Sequence, residues 1–194
     1  MANRFGDLAA DRPHQVKLDS YYQVKAGGSG SFTIGGSFRG ASGIPHNALA
    51  AHPIYGDGEA FLLPRGKTVS FTDVRTNANG ERVTVERTVG RSPFTTQVDA
   101  HLAYGRAMGK GVTLEAFVDI FNLFNTQQEV DVDEDYTFDF ANPVVGGDSE
   151  DLKHAKRSSG ENADASLLTR NPNYGNLNAR VLPLSMRFGL RLRF

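Results

Sequence analysis

Apolar and polar residues alternate with period two in five stretches of this chain. The longest runs from Leu184 to Phe194. Its even positions are Leu184, Met186, Phe188, Leu190, Leu192 and Phe194; its odd positions are Ser185, Arg187, Gly189, Arg191 and Arg193. A helix would scatter both sets around its axis, whereas a strand sorts them onto two faces. Val16, Leu18, Tyr22 and Val24 oppose Lys17, Asp19 and Tyr21. Phe32, Ile34 and Phe38 oppose Thr33, Ser37 and Arg39. Val98, Ala100, Leu102 and Tyr104 oppose Gln97, Asp99 and His101. Val112, Leu114, Ala116, Val118 and Ile120 oppose Thr113, Glu115 and Asp119. Phe117 and Phe121 break this last pattern, on a face only partly wet or at the ends of the strand. The pattern predicts strands over about 14–25, 31–40, 95–105, 111–122 and 183–194.

The links between strands alternate in length. Ala26–Gly30 and Gly105–Gly111 are glycine-rich and short, as in hairpins. Residues 41–93 and 123–182 form two long loops. The first holds a candidate hairpin, Lys67–Val74 and Arg82–Val89 about the turn Asn77–Gly80. The second is acidic, with 11 acidic and 4 basic residues between Asn125 and Arg170, a net of -7. In it Gly147–Asp151 and Arg157–Asn162 read as mobile, and Ser149–Ala155 carries a signal for a short helix. Strict alternation of short turns and long loops is the habit of outer-membrane barrels. Two long structureless loops would count against a compact soluble domain.

Alternation does not say which face is inside. A soluble sandwich or small barrel buries the apolar face. A membrane barrel turns it to lipid and lines its lumen with the charged face. The loop asymmetry favours the membrane arrangement, as does a strand that runs unbroken to Phe194, since termini usually fray unless tied down.

Composition narrows the function. Lys plus Arg is 21 against 22 for Asp plus Glu, a net charge of -1, so nothing suggests nucleic acid as a partner. The absence of cysteine excludes disulfide scaffolds, Cys-ligated zinc and cysteine nucleophiles. No apolar run is long enough for a membrane helix, a test that barrel strands of about 9–11 residues escape. The first residues do not read as a signal peptide.

Several segments together resemble the C-terminal portion of TonB-dependent outer-membrane receptors, in particular the Oar-like branch. They are Asp11–His14 before the first strand, Phe38–Pro45 at a strand exit, and Phe117–Asn125 with its Asn-Leu-Phe-Asn run. Val132–Thr137 and Arg170–Gly175 resemble parts of the last external loop, and the strand ending at Phe194 resembles the family's assembly signal. The resemblance implies an all-β fold: an antiparallel meander of about five transmembrane strands, the C-terminal part of a 22-stranded barrel with two long external loops. It implies uptake of a ligand across the outer membrane of a Gram-negative bacterium by the full-length receptor. The signal peptide, the plug and the TonB-contact segment are not in this sequence. The chain is therefore expected to be a partial barrel domain that supplies wall, external loops and assembly signal.

The partners implied are outer-membrane lipid, the barrel assembly machinery, and the remaining strands and plug of the receptor. TonB would be met only through the missing N-terminal part. The assembly signal maps onto Phe188, Leu190, Leu192 and Phe194, recognised by edge pairing. The lumen-facing charges are Lys17, Asp19, Arg39, Asp99, Glu115, Asp119, Arg187, Arg191 and Arg193. Among them the three arginines of the last strand are expected beside Glu115 and Asp119. Tyr22 and Tyr104 fit an interfacial aromatic girdle. The alternative is a stand-alone small β protein, acting as a soluble binding module or an oligomeric pore.

No enzyme site, cofactor or metal is expected. A calcium loop starting at Asp131 would need Gly and Glu where Tyr136 and Asn142 stand. Gly105–Gly111 lacks the spacing and the Ser or Thr of a phosphate loop. The histidines, His14, His46, His52, His101 and His154, show no zinc-protease spacing, and no Gly-x-Ser-x-Gly elbow occurs. His101 is expected on the lumen face.

Overall fold

A computed structural model describes residues 2–52, 54–158 and 166–194. Residues 159–162 of the segment read as mobile lie outside these. The chain divides into two compact units. One consists of Pro13–Ser42, Phe94–Gln128 and Arg180–Phe194, the other of Met1–Arg12, Gly43–Pro93 and Glu129–Ala179. We call them the sheet unit and the lobe. Among the described residues, no helix is long and apolar enough to cross a membrane, which says nothing of strands.

The sheet unit holds β1 (Gln15–Lys25), β2 (Gly30–Ala41), β7 (Thr95–Gly109), β8 (Val112–Phe121) and β12 (Ser185–Arg193). They form one sheet in the order β1-β2-β7-β8-β12, antiparallel throughout. The alternating sequence is what this geometry requires, because successive side chains leave a strand on opposite sides. Glycines make the tight turns. Gly27 and Gly28 both have φ near +54°, in the left-handed region that only glycine enters without strain.

The end of β8 is fixed by asparagine. Asn122 and Asn125 both have positive φ, of 51° and 50°. The Asn122 amide donates to the carbonyls of Thr126 and Leu182, and Asn125 Oδ1 accepts from the Leu184 N–H at 3.0 Å. The Asn-Leu-Phe-Asn run is thus a turn that ties the exit of β8 to the entrance of β12. Asparagine tolerates this backbone and offers a short polar arm to it.

The lobe shows that the two long loops carry structure of their own. Its strands are β3 (Leu49–His52), β4 (Gly56–Phe61), β5 (Val69–Thr76), β6 (Arg82–Val89), β9 (Glu129–Val132), β10 (Asp135–Phe140) and β11 (Leu177–Arg180). β10, β3 and β4 form a three-stranded sheet in which β10 and β3 run parallel. β5 and β6 form a hairpin about Asn77–Gly80, where Asn77 Oδ1 accepts from the N–H groups of Asn79 and Glu81. β9 pairs with β11. The Ser149–Ala155 signal corresponds to a single 3-10 turn, Asp151–His154, which buries Leu152. Gly147–Asp151, read above as mobile, is held in place. The Asp148 N–H donates to Asp151, and the Ser149 hydroxyl bonds the Ser70 backbone.

The lobe has its own hydrophobic core, built from Ala48, Ala50, Ala60, Leu62, Leu63, Val69, Phe71, Val89, Tyr136, Ala141, Leu152 and Tyr174. Tyr174 is fully buried, with its ring 5.4 Å from that of Phe71 and 5.2 Å from that of Tyr136. Its hydroxyl donates to the Asn47 carbonyl at 3.3 Å. Asn3, also fully buried, donates from its side chain to the carbonyls of Leu62 at 2.9 Å and Val144 at 3.0 Å. The Arg170–Gly175 segment is the keystone. The Asn171 N–H bonds the Tyr136 carbonyl and its side chain bonds the Asp135 carbonyl, so Tyr174 is delivered into the core.

Candidate functional surfaces

The register of the sheet turns five amphipathic strands into one continuous surface. Tyr22, Ile34, Leu102, Val118 and Phe188 lie in one row across all five strands. Val24, Phe32, Tyr104, Ala116 and Leu190 form the next. Leu18, Phe38 and Val98 continue the face at one end, and Leu114 and Leu192 at the other. Most of this apolar surface is open. Phe188 is 75% exposed, Leu190 77% and Phe194 98%. Soluble monomers rarely show apolar patches beyond a few hundred Å². Tyr104 packs on Phe32 at 4.8 Å in the same band. Of the candidate assembly residues, Phe188, Leu190 and Leu192 belong to this face, and Phe194 follows the last paired residue, Arg193. Among the described residues, β1 and β12 each pair on one side only.

The opposite face carries the charges, organised by the same register. Arg187 lies opposite Asp119 and contacts it through two nitrogens, at 2.6 and 2.9 Å. Arg191 lies opposite Glu115 at 2.8 Å, and Arg193 reaches the same carboxylate at 3.5 Å. The expected pairing of the three arginines with the two acids is what the structure contains. Asp119 also accepts from His101 Nδ1. Asp99 gathers the Gln97 amide, the Asn122 N–H and the Ser37 hydroxyl, with Arg39 at 3.7 Å. Lys17 and Asp19 share the face, opposite Arg39 and Ser37, without entering this network. A depression of about 490 Å³ lies over it, bounded among others by Asp19, Arg39, Asp99, His101 and Asp119. With guanidiniums half or more exposed, each pair contributes about 0.2–1 kcal/mol, so together they set register more than stability.

The two phenylalanines that break the pattern of β8 have a specific place, and Phe117 is not at a strand end. Its ring covers Gly189, opposite it on β12, so closely that a side chain at 189 would collide with it. The Arg191 guanidinium lies 5.4 Å from the centre of that ring, and Arg187 lies 5.7 Å from that of Phe121. The Phe117 ring covers a bare glycine, and each of the two rings carries an arginine over it. Sequence reading missed Gly189, Gln97, Ser37 and Asn122 as partners. Only the register reveals them, and a long loop separates β8 from β12.

The lobe concentrates charge in two places. Glu134 accepts from His46 Nδ1 at 3.1 Å and from the Asn47 amide at 2.9 Å. Burial opposes its ionisation, but these donors outweigh burial and hold the carboxyl below the ordinary range. Asp73 is likewise opposed by burial, yet hydrogen bonds from Arg75 and Arg170 keep it low. Among the described residues, no group of three or more His, Asp or Glu side chains is arranged to hold a metal ion, the Asp131–Asp135 run included.

No family model matches the chain, and no solved structure matches it. Over its whole length the chain is 29% identical to the TonB-dependent transporter Oar of Myxococcus xanthus. It spans 17% of the length of that relative. An antiparallel sheet with an open apolar face, within an all-β chain, is thus joined to a distant likeness with part of a TonB-dependent transporter.

Proposed function

We propose that this chain forms one sector of the wall of an outer-membrane β-barrel in a TonB-dependent receptor, with the lobe on the external side. The observation that carries this reading is the unbroken set of apolar rows running through both edges of the sheet. From Val16 to Val24, β1 spans about 27 Å at about 3.4 Å per residue. With a tilt near 40° that is about 21 Å along the membrane normal, close to the roughly 25 Å apolar band of such barrels. The charged face then lines the lumen, with Lys17, Asp19, Arg39, Asp99, Glu115, Asp119, Arg187, Arg191 and Arg193 turned toward the plug. Outer edges of β1 and β12 left bare in hydrocarbon would cost several kcal/mol per unmet backbone group, so further strands complete the wall.

In this reading the full-length receptor takes up a ligand through the outer membrane with TonB as its partner. β12 is the edge at which the assembly machinery engages Phe188, Leu190, Leu192 and Phe194 by strand addition. Fractionation of the source cells, with an antibody to Arg180–Phe194, tests the placement. The protein is expected in the outer-membrane fraction. Recovery in the soluble fraction alone would overturn the reading. For the assembly role, Phe194→Ala is expected to lower the surface level of the receptor. Unchanged abundance would remove that role.

A further inference from the structure

The β5–β6 hairpin has one face occupied by Val69, Phe71, Asp73 and Arg75 on β5 and Val83, Val85, Arg87 and Val89 on β6. Three guanidinium groups gather there around one carboxylate. Arg75 Nε is 3.3 Å from Asp73, Arg170 Nη2 is 3.4 Å and Arg87 Nη1 is 3.6 Å. None matches the short two-nitrogen contact that Arg187 makes with Asp119. Three cations against one anion leave two positive charges. Among the described residues Asp73 is the acid in ion pairs with these three arginines, while Glu86 and Glu150 border the same depression as Arg87. Glu86 leaves the hairpin on its other face, Glu150 pairs with Lys153, and Asp133 meets this region through the Asn171 amide.

The cations are held in place by the fold. Arg170 stacks on Phe71 with its guanidinium carbon 4.4 Å from the ring centre, and Arg87 lies 5.5 Å from the same ring. Arg87 donates to the carbonyls of Tyr174 and Gly175, and Arg75 and Arg87 share Asn176 Oδ1. Arg75 and Arg87 are thus held together by hydrogen bonds to the Tyr174 and Gly175 carbonyls and the Asn176 side chain. Burial, and then repulsion from Arg75, holds the Arg87 guanidinium below its usual value. The side chain of Arg75 is 48% exposed, so solvent reaches the cluster.

We propose that Arg75, Arg87 and Arg170 form a binding site for a phosphate monoester group. A carboxylate offers two oxygens, and three forks already crowd those of Asp73 at long range. A phosphate offers three terminal oxygens and close to two negative charges, matching both the number of forks and the excess charge. The ligand meets the lobe from solvent, and the site is distinct from the charged face of the sheet.

The test is equilibrium dialysis of the purified full-length protein against radiolabelled inorganic phosphate at fixed ionic strength, with malonate as competitor. Saturable binding is expected, weakly displaced by malonate. Arg75→Gln is expected to weaken it about tenfold or more, the loss of one charge-assisted contact. Asp73→Asn is expected to tighten binding, because it removes the competing anion. Binding that does not saturate, or that Arg75→Gln leaves unchanged, overturns the proposal. So does a folded Asp73→Asn protein that binds phosphate no better. Arg75→Gln, in a half-exposed side chain, decides the matter if Asp73→Asn does not fold. Neither result depends on where the protein fractionates, so the site and the barrel reading fail separately.

Discussion

Truncating Tyr174 to alanine should unfold the lobe while leaving the sheet unit standing. Tyr174 is the largest fully buried side chain among the described residues, and its ring meets both Phe71 and Tyr136. Removing a buried aromatic side chain typically costs about 3–5 kcal/mol in transfer and cavity terms. Each lost ring pair adds about 0.5–1.5 kcal/mol. A unit of roughly a hundred residues has a net stability of about 5–15 kcal/mol, so a loss of about 4–8 kcal/mol leaves little or nothing. Limited trypsinolysis of the purified protein reads this out. Cleavage is expected at Arg87, Lys153 and Arg170 in the variant and not in the parent. The sheet unit, which shares none of this core, should keep its protease resistance. Tyr174→Phe retains the packing and loses the 3.3 Å bond to the Asn47 carbonyl, a change of about 1 kcal/mol, and should resist protease. If Tyr174→Ala is as resistant as the parent, the lobe is not held by this core.

If the apolar face of the sheet meets lipid as proposed, Val118→Arg on β8 should destabilise the fold by about 2–4 kcal/mol in lipid. Equal folding in lipid vesicles, followed by urea titration, would show that this face does not meet hydrocarbon. Gly189→Val should expel the Phe117 ring and cost about 1–3 kcal/mol by the same titration, and a second change, Phe117→Ala, should recover part of it. The lobe should lose stability in acid. Glu134 has a folded pKa below its ordinary value of 4.5, so its contribution is complete above that pH and vanishes as pH falls through the lower folded value. Protease resistance of the lobe should therefore be flat near neutrality and decline below about pH 4.5, less steeply in Glu134→Gln, and a pH-independent profile would contradict this.

The sheet was legible because its signal is local. Residues such as Val112, Leu114 and Ala116 report their own face, and the three arginines of β12 with Glu115 and Asp119 follow from counting alternate positions. What was not legible depends on neighbours far along the chain. Phe117 looked misplaced on the wet side until Gly189 proved to lie beneath it. In the loops the hairpin at Asn77–Gly80 was legible but the core was not, because its residues follow no period: Ala48, Leu63, Val89, Leu152 and Tyr174 meet only in three dimensions. Arg170–Gly175 was noticed for its likeness to an external loop, and nothing local in it announced that Tyr174 is the centre of the core. Asp73 and its three arginines were likewise invisible, since Arg170 lies 97 positions away from Asp73.

The lobe is assembled from three separate pieces of chain, interleaved with the pieces that make the sheet. Asn3 bonds a carbonyl 141 positions away, and Tyr174 one 127 positions away. Such contacts form only after long loops have closed, and chains rich in them fold slowly. The core is complete only once Tyr174 is in place, so until the second long loop arrives Leu62, Val69 and Phe71 of the first lack part of their final packing. Exposed apolar surface in such an interval leaves a folding chain open to proteases and to aggregation. A chaperone that shields the 43–93 segment would act there, on a stage of the protein's life that its finished form conceals.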